Sequence, residues 1–597
     1  MTRTTGPGLF QPHTLALAVA VGFVAPAQAV NFNIGEIEGQ FDSSLSVGAS
    51  WSMRSPDRDL IGPNNGGQGQ AQTGDDGRLN FKKGETFSKI FKGIHDLELK
   101  YRDTGVFVRG KYWYDFELKD ESRLFKDIDD SNRKEGAQSS GAEILDAFLY
   151  HNYAVGDLPG TVRIGKQVVS WGESTFIGNS INAINPIDVA AFRRPGAEIK
   201  EGLIPVNMLY LSQSLTDQLS MEAFYQLEWD QTIIDNCGTF FSTADVAADG
   251  CDNGYHIGSP AIAPLQPVAA AFGQGFRVDS EGVILPRAGD RDARDSGQWG
   301  LALRWLGDET EYGAYFMNYH SRTPIVSTQN AGLATLAALP GIIGTANGIV
   351  PGSGAGLAQS VMLGNGRYYL EYPEDIRLYG MSFSTTLPTG TAWAGEVSYR
   401  PNLPLQINTT DMTLSLLNPI APGAAPVAAG PGQDNVGYRR KEVTQVQTTF
   451  THFFDQVMGA GRFTLVGEIG MAHVGGLESR EDLRYGRDSL FGAYGFRGDT
   501  HGFVTSTSWG YRVRGIWEYS NVFAGVNLKP NISWSHDVDG YGPNGLFNEG
   551  SKAVSIGIDA DYRNTYTASL SYTDFFGGDY NVAVDRDFLA LSFGVSF

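Results

Sequence analysis

The chain has 597 residues, of which 75 are Gly, 12% are aromatic and only 19% are charged. Soluble domains carry about 25% charged residues and about 7% Gly, so this composition suits one large sheet studded with aromatics better than a string of globular domains. The formal net charge of −21 excludes nucleic acid as a partner, because phosphate binding needs clustered Lys and Arg; its plain reading is solubility of exposed loops and a hydrated lumen.

In chain order, the first element is an export signal. Arg3 precedes an apolar stretch, Thr14 to Ala25, too short to cross a bilayer as a helix, and Ala27-Gln28-Ala29 reads as a small-x-small cleavage site. Residues 1–29 are expected to be a signal peptide and 30–597 one mature domain. No Cys follows the cleavage site, which excludes a lipoprotein. Val30 to Gln40 stays unplaced, as a periplasmic tail or a plug. Beyond Val30 no run of 18 apolar residues remains; the most apolar segment, 332–350, is interrupted by Pro340, Gly341, Gly344 and Gly348, and mean hydropathy is −0.20.

The mature chain instead alternates with a period of two, as in strands with one apolar and one polar face. Phe41, Leu45, Val47, Ala49, Trp51 and Met53 alternate with Asp42, Ser44, Ser46, Gly48, Ser50 and Ser52. In Val106 to Leu118, Val106, Val108, Tyr112, Tyr114, Phe116 and Leu118 face one way and Arg109, Lys111, Asp115 and Glu117 the other. Later segments repeat the pattern, with Arg512, Arg514 and Glu518 interleaved among Tyr511, Val513, Trp517 and Tyr519, and Val554 to Tyr562 and Tyr566 to Thr573 alike. Tight turns at 103–105, 157–160, 307–309, 388–390, 520–521 and 563–564 alternate with long loops at 54–93, 119–142, 171–205, 231–296, 321–374, 402–441, 475–509, 537–552 and 577–586. The reading is all-β: a transmembrane antiparallel barrel of roughly 18 strands, with short periplasmic turns and long extracellular loops. The last strand, Phe588 to Phe597, puts Leu589, Leu591, Phe593, Val595 and Phe597 on one face, and the terminal Phe597 is read as the signal that barrel-assembly machinery captures by strand addition.

Candidate functional residues lie on the polar face and in the loops. Cys237 and Cys251 sit in one polar loop of an exported chain and are read as a disulfide rather than a metal site. The segment 163–201, with Trp171, Glu173, Asp188, Arg193 and Arg194, is long enough to fold into the lumen as a constriction, where Arg109, Lys111, Glu468, Arg512 and Arg514 would line the wall and set permeability; a surface loop held by ion pairs is the alternative. Ala331 to Met362 is a second candidate, an apolar loop that meets a greasy substrate or a flexible tip. Asp75 and Asp76, and Asp127, Asp129 and Asp130, are read as solvated acidic loops without the spacing of a calcium hand; they would meet lipopolysaccharide and its divalent ions. His320-Ser321-Arg322 and Ser535-His536-Asp537 fall short of a Ser/His hydrolase motif, and no phosphate-cradling or metal-hydrolase motif occurs, so no catalysis and no cofactor are expected.

Several segments carry a resemblance: Asp75 to Phe81 (DDGRLNF), Arg163 to Glu173 (RIGKQVVSWGE), Asn185 to Asp188 (NPID), Cys237 to Thr243 (CGTFFST), Tyr372 to Ile376 (YPEDI), Thr444 to Gln447 (TQVQ) and Asp585 to Phe588 (DRDF). In their order and spacing they resemble a proteobacterial outer-membrane family, domain-of-unknown-function family 1302. The resemblance implies an outer-membrane barrel acting beside a periplasmic lipid-carrier-like protein and an inner-membrane exporter of the resistance-nodulation-division class, and so the passage of hydrophobic or lipid-like molecules. A general aqueous porin and a structural or surface-interaction barrel are the competing functions.

Overall fold

The computed structural model describes residues 30–492 and 499–597; the signal-peptide reading lies outside the described residues. Nineteen strands form one sheet, of which Val30–Ile34 pairs only with its neighbour and the other eighteen make a closed antiparallel ring. In chain order these are β1 (Ile37–Ser52), β2 (Thr86–Tyr101), β3 (Thr104–Asp115), β4 (Ser140–Val155), β5 (Leu158–Gln167), β6 (Val206–Ser214), β7 (Leu219–Gln226), β8 (Trp299–Leu306) and β9 (Thr310–Tyr319). They continue as β10 (Ile376–Thr386), β11 (Ala392–Gln406), β12 (Tyr438–Asp455), β13 (Arg462–Gly475), β14 (Thr507–Phe523), β15 (Val526–Asp539), β16 (Lys552–Tyr562), β17 (Tyr566–Phe576) and β18 (Phe588–Ser596). Each strand pairs with the next, and β18 closes on β1 from Ser44↔Ser596 to Ser52↔Phe588. Closure removes every free edge of the ring, the condition for a sheet in hydrocarbon.

The alternation expected along the strands decides which face is which. Val47, Leu149, Ile164, Leu209, Leu303, Met381, Ile469, Ile556 and Phe593 point outward and are exposed, while Ser50, Ser398, Gln445 and Gln447 of the opposite face are buried. An uninterrupted apolar exterior of this kind is the surface of a barrel made for lipid. Exposed aromatics gather at both rims: Tyr101, Trp305, Tyr312 and Phe523 near the short turns, Trp299, Tyr379, Tyr399 and Trp509 near the long loops.

Long and short connections alternate around the ring, but some bounds shift. Residues 86–93, expected in the first loop, belong to β2, and the turn expected at Ser520-Asn521 falls at Ala524-Gly525. Asn521 still takes a left-handed conformation (φ 48°) and accepts the Gly525 N–H at 2.9 Å, so its turn-forming chemistry makes an irregularity in β14 between Tyr519 and Phe523. Glu117, expected on the inner face of a strand, lies past the end of β3 in the short helix Phe116–Asp120. Val30–Ile34 is neither tail nor plug: it folds back on Ile37 to Phe41, along the β1 edge that β18 occupies further up. Ser43 and Phe597 join the two segments by bonds in both directions, at 2.6 and 2.8 Å.

On the long-loop side the connections form a packed layer. Residues 332–365 make two helices, Leu333–Ile349 and Gly354–Asn365, that bury Leu339, Ile342, Leu357, Val361 and Met362 against Tyr255, Val268, Val283, Tyr368 and Leu416. Much of the apolarity of Ala331 to Met362 is thus spent on a loop core, which corrects the flexible-tip reading, while Leu333, Ile349 and Val350 stay exposed. Cys237 and Cys251 are joined by a disulfide with their Cα atoms 6.3 Å apart.

Candidate functional site

At Gln167 the chain leaves the wall, and residues 168–205 run through the interior of the ring before β6 begins. The reason is local. Val169, Trp171, Ile181 and Ile184 are apolar, and the inner faces of β6 to β10 offer Met208, Tyr210, Phe224, Ala302, Tyr315, Met317 and Leu378 in place of polar groups. Wall glycines leave room for the contact: a Cβ on Gly300 would stand 2.9 Å from Trp171, on Gly380 2.8 Å from Ile181, and on Gly470 2.8 Å from Ile177. Each buried Trp or Ile contributes about 1.5–3 kcal/mol relative to exposure. Apolar burial therefore holds the loop inside, and polar contacts with the wall fix its course, since buried ion pairs return little net stability beyond their desolvation cost.

Two carboxylates of the wall grip the loop backbone. Glu468 on β13 accepts the N–H groups of Thr175, Phe176 and Ile177 at 3.0, 2.6 and 2.7 Å. Glu396 on β11 accepts from Glu173 N–H and, at 3.3 Å, from Ile181 N–H. Arg400 donates to the Ser180 carbonyl at 2.5 Å, and Gln445 and Gln447 donate to Gly178 and Ile177 carbonyls at 2.9 and 3.1 Å. Trp171 Nε1 donates to Glu222 at 2.7 Å.

The far half of the loop is tied to the opposite wall. Asp188, fully buried, meets Lys111 of β3 at 3.1 Å and caps its own short helix through Ala191 N–H. Lys92 of β2 bridges the Gly196 carbonyl at 2.7 Å and Glu201 at 2.6 Å. Arg194 donates to the Gly136 carbonyl at 2.7 Å and lies 4.3 Å over Trp113. Arg193 pairs with Asp235 at 3.3 Å and covers Phe241. Pro195 packs on Gly48 of β1 and Gly196 on Ser592 of β18. The loop therefore crosses the whole lumen, from β7–β13 to β18–β3.

The structure brings Trp171, Glu173, Asp188, Arg193, Arg194, Lys111 and Glu468 into this one assembly. Arg109 belongs to a separate wall network with Asp96 at 2.7 Å and Asp146 at 3.2 Å. Arg512 shares the face of Glu468 in the β13–β14 register but is held by Asp537 at 2.6 Å, and Arg514 follows two residues on. Sequence reading placed Glu201 in the loop segment but missed its wall partner Lys92, and missed Glu222, Glu396 and Arg400; a lone charge on the inner face of an otherwise apolar strand, as in Ala392 to Tyr399, was the available signal. The hydrolase fragments are used structurally. His320 is buried between the Ser296 carbonyl and the Asp375 N–H, both at 3.0 Å, and Ser321 donates to Thr323. Asp75 and Asp76, expected to be solvated, are buried.

Cavities flank the loop. On the long-loop side a cavity of about 540 Å³ is lined by Val246, Tyr255, Ile325, Val504, Tyr541, Phe547, Tyr580 and Val582, with Arg487 and Asp488 among them. Phe547 at its wall packs against Ile177, so this one side chain separates the cavity from the loop. On the turn side a cavity of about 270 Å³ lies between the loop's Glu198 and Lys200, the inner wall at Ser44 and Asp96, and Phe597.

Fold and site together define a closed, lipid-faced β-barrel with a loop folded across its lumen. The chain belongs to the family described as protein of unknown function (DUF1302), whose model matches residues 11–597. No curated protein matches it in sequence. Among solved structures it is similar to OccAB2 of Acinetobacter baumannii, at 9% identity over 93% of this chain and 98% of that one with a TM-score of 0.38. OpdK of Pseudomonas aeruginosa matches at 8% identity over 93% and 98%, TM-score 0.37. OmpF of Salmonella typhi in complex with daunomycin matches at 9% over 95% and 100%, TM-score 0.33. These scores are low, and the barrel is read from its own strand pairing.

Proposed function

We propose that the protein is an outer-membrane channel, set with its long loops outward and its short turns in the periplasm, in which residues 168–205 decide what passes. The observation that carries this reading is the course of that loop, anchored on opposite walls with a cavity on each side. A segment fixed by charged contacts at mid-lumen selects permeants by width and charge. The outer cavity, mostly apolar with one Arg and one Asp, favours small hydrophobic or amphipathic molecules. The packed core of 332–365 gives no support to that substrate class. A periplasmic lipid-carrier-like protein and an inner-membrane exporter belong to the proposal through the family resemblance, and the barrel-assembly machinery through Phe597. A second reading, a barrel that displays its loop layer and transports nothing, is favoured by the density of the loop's anchors.

The two are separated by single-channel conductance of the refolded 30–597 chain in a planar bilayer, with and without residues 171–205. A small steady conductance that grows on deletion supports the channel. Absence of conductance in both forms overturns it and leaves the display barrel.

A further inference from the structure

Above the ring, the loops 53–85 and 227–298 press three carboxylates together. Asp75, Asp76 and Asp245 are 0%, 6% and 1% exposed, and each brings one oxygen within 4.8 Å of the other two. The backbones meet closely here. A Cβ on Gly74 or Gly77, the residues flanking the two adjacent aspartates, would collide with the carbonyls of Thr243 and Thr239.

The hydrogen bonds leave part of this cluster without a partner. Asp75 Oδ2 accepts from Gly62 N–H at 2.8 Å and Asn65 Nδ2 at 3.0 Å. Asp245 Oδ2 accepts from Asp76 N–H at 3.2 Å. The other oxygens, Asp75 Oδ1 and Asp245 Oδ1, are buried with no donor among the described residues. A buried carboxylate oxygen without a donor or a cation is costly.

The charge is also unbalanced. Lys126 meets Asp76 at 2.9 Å and at the same time Glu281 at 2.5 Å, itself 3% exposed. The nearby Arg78 and Arg586 are directed at Asp585, at 3.0 and 3.6 Å. Arg586 is near enough to act on Asp245 as well, so one ammonium and one guanidinium shared with Asp585 face four buried carboxylates.

We propose that Asp75, Asp76 and Asp245 hold a calcium ion that staples loop 53–85 to loop 227–298 over the mouth of the barrel. The donor set is all oxygen and anionic, which selects a hard cation. Three carboxylates converging directly from two loops suit the adaptable coordination of calcium better than magnesium, which keeps most of its waters and an octahedron. Neutralisation by an ion answers both the orphaned oxygens and the excess charge. Burial raises all three carboxyl groups above the ordinary range, Asp76 to about 6, with Glu281 adding at Asp75 and neighbouring aspartates adding at Asp76 and Asp245.

The test is calorimetric titration of CaCl₂ into the full mature chain, refolded in lipopolysaccharide-free detergent and stripped with EGTA, beside the variants Asp245→Asn and Asp75→Asn. Wild type is expected to bind calcium saturably, with Kd on the order of 0.1–1 mM or tighter, the range of extracellular sites. Each variant is expected to weaken binding at least tenfold. In EGTA, Asp245→Asn is expected to unfold at the same temperature as wild type or higher, because it removes repulsion; in calcium it loses the upward shift that wild type shows. No saturable heat in wild type overturns the site, whatever the variants do. Variants that bind as wild type does place the ion elsewhere, and equal binding of MgCl₂ overturns the assignment to calcium.

Discussion

At the scale of single residues, the site is a set of buried charges that receive backbone groups. Glu468 takes three consecutive loop N–H groups, and bonds to a charged acceptor contribute about 1.5–3 kcal/mol where neutral ones contribute about 0.5–1.5. Glu468→Gln keeps the shape and loses the charge, so the loop loosens while the barrel stays closed; in planar bilayers the variant is expected to show larger and noisier conductance than wild type. Lys111 faces Asp188, both side chains nearly inaccessible at 3% and 0%. Lys111→Met leaves that carboxylate buried and unpaired, which costs roughly 3–5 kcal/mol. The expected outcome is trypsin cleavage after Arg193, the Arg194–Pro195 bond being resistant, under conditions where the wild-type loop resists, read from fragment masses. Of these residues Lys111, Asp188 and Glu468 were legible as candidates because each interrupts a recognisable pattern. Glu396 and Lys92 were equally visible in their strands, but a single charge in an alternating strand does not say which loop will reach it.

At the scale of elements, the contrast lies between strands and loops. Strands such as β1, β3, β14 and β16 to β18 were readable because their two faces meet two solvents and that difference is written at every second residue, whereas the apolar inner faces of β6 to β10 blur it. Loops carry no such period. The segment 332–365 looked like apolar material for a substrate, yet Ile342 and Val361 are wholly buried in a core shared with Val268, Leu285 and Leu416. Ile342→Ala is expected to cost about 2–5 kcal/mol, confined to the loop layer. Limited proteolysis is expected to cut between 320 and 375 at a lower temperature than in wild type, with far-UV circular dichroism of the barrel unchanged. Asn521 shows the same limit on a smaller scale: its turn chemistry is real, but pairing of β14 with β15 continues past it, so the turn forms three residues later.

At the scale of the whole molecule, closure is the decisive event. The β1–β18 seam ends at the Ser43–Phe597 bonds, immediately above the N-terminal strand. Removing Phe597 deletes only the last rung of this seam, so the truncated chain is expected to refold in detergent with a normal heat-modifiable band on gels. Under the proposal that the terminal aromatic is recognised by assembly machinery before the ring closes, its yield in the outer membrane of expressing cells is expected to fall several-fold. Equal membrane yield for both chains would remove Phe597 from that role.

The sequence by itself determined the class of fold, the alternation of long and short connections and the approximate number of strands, because these follow from local periodicity and from the composition a lipid-faced sheet requires. Only the tertiary structure decided that residues 168–205 cross the lumen, that the apolar 332–365 segment folds into a core of the loop layer, and that Asp75 and Asp76 are buried against Asp245. Each of these depends on partners in other connections or on the opposite wall of the barrel, and burial against a distant partner leaves no period in the chain that supplies only one half of the contact.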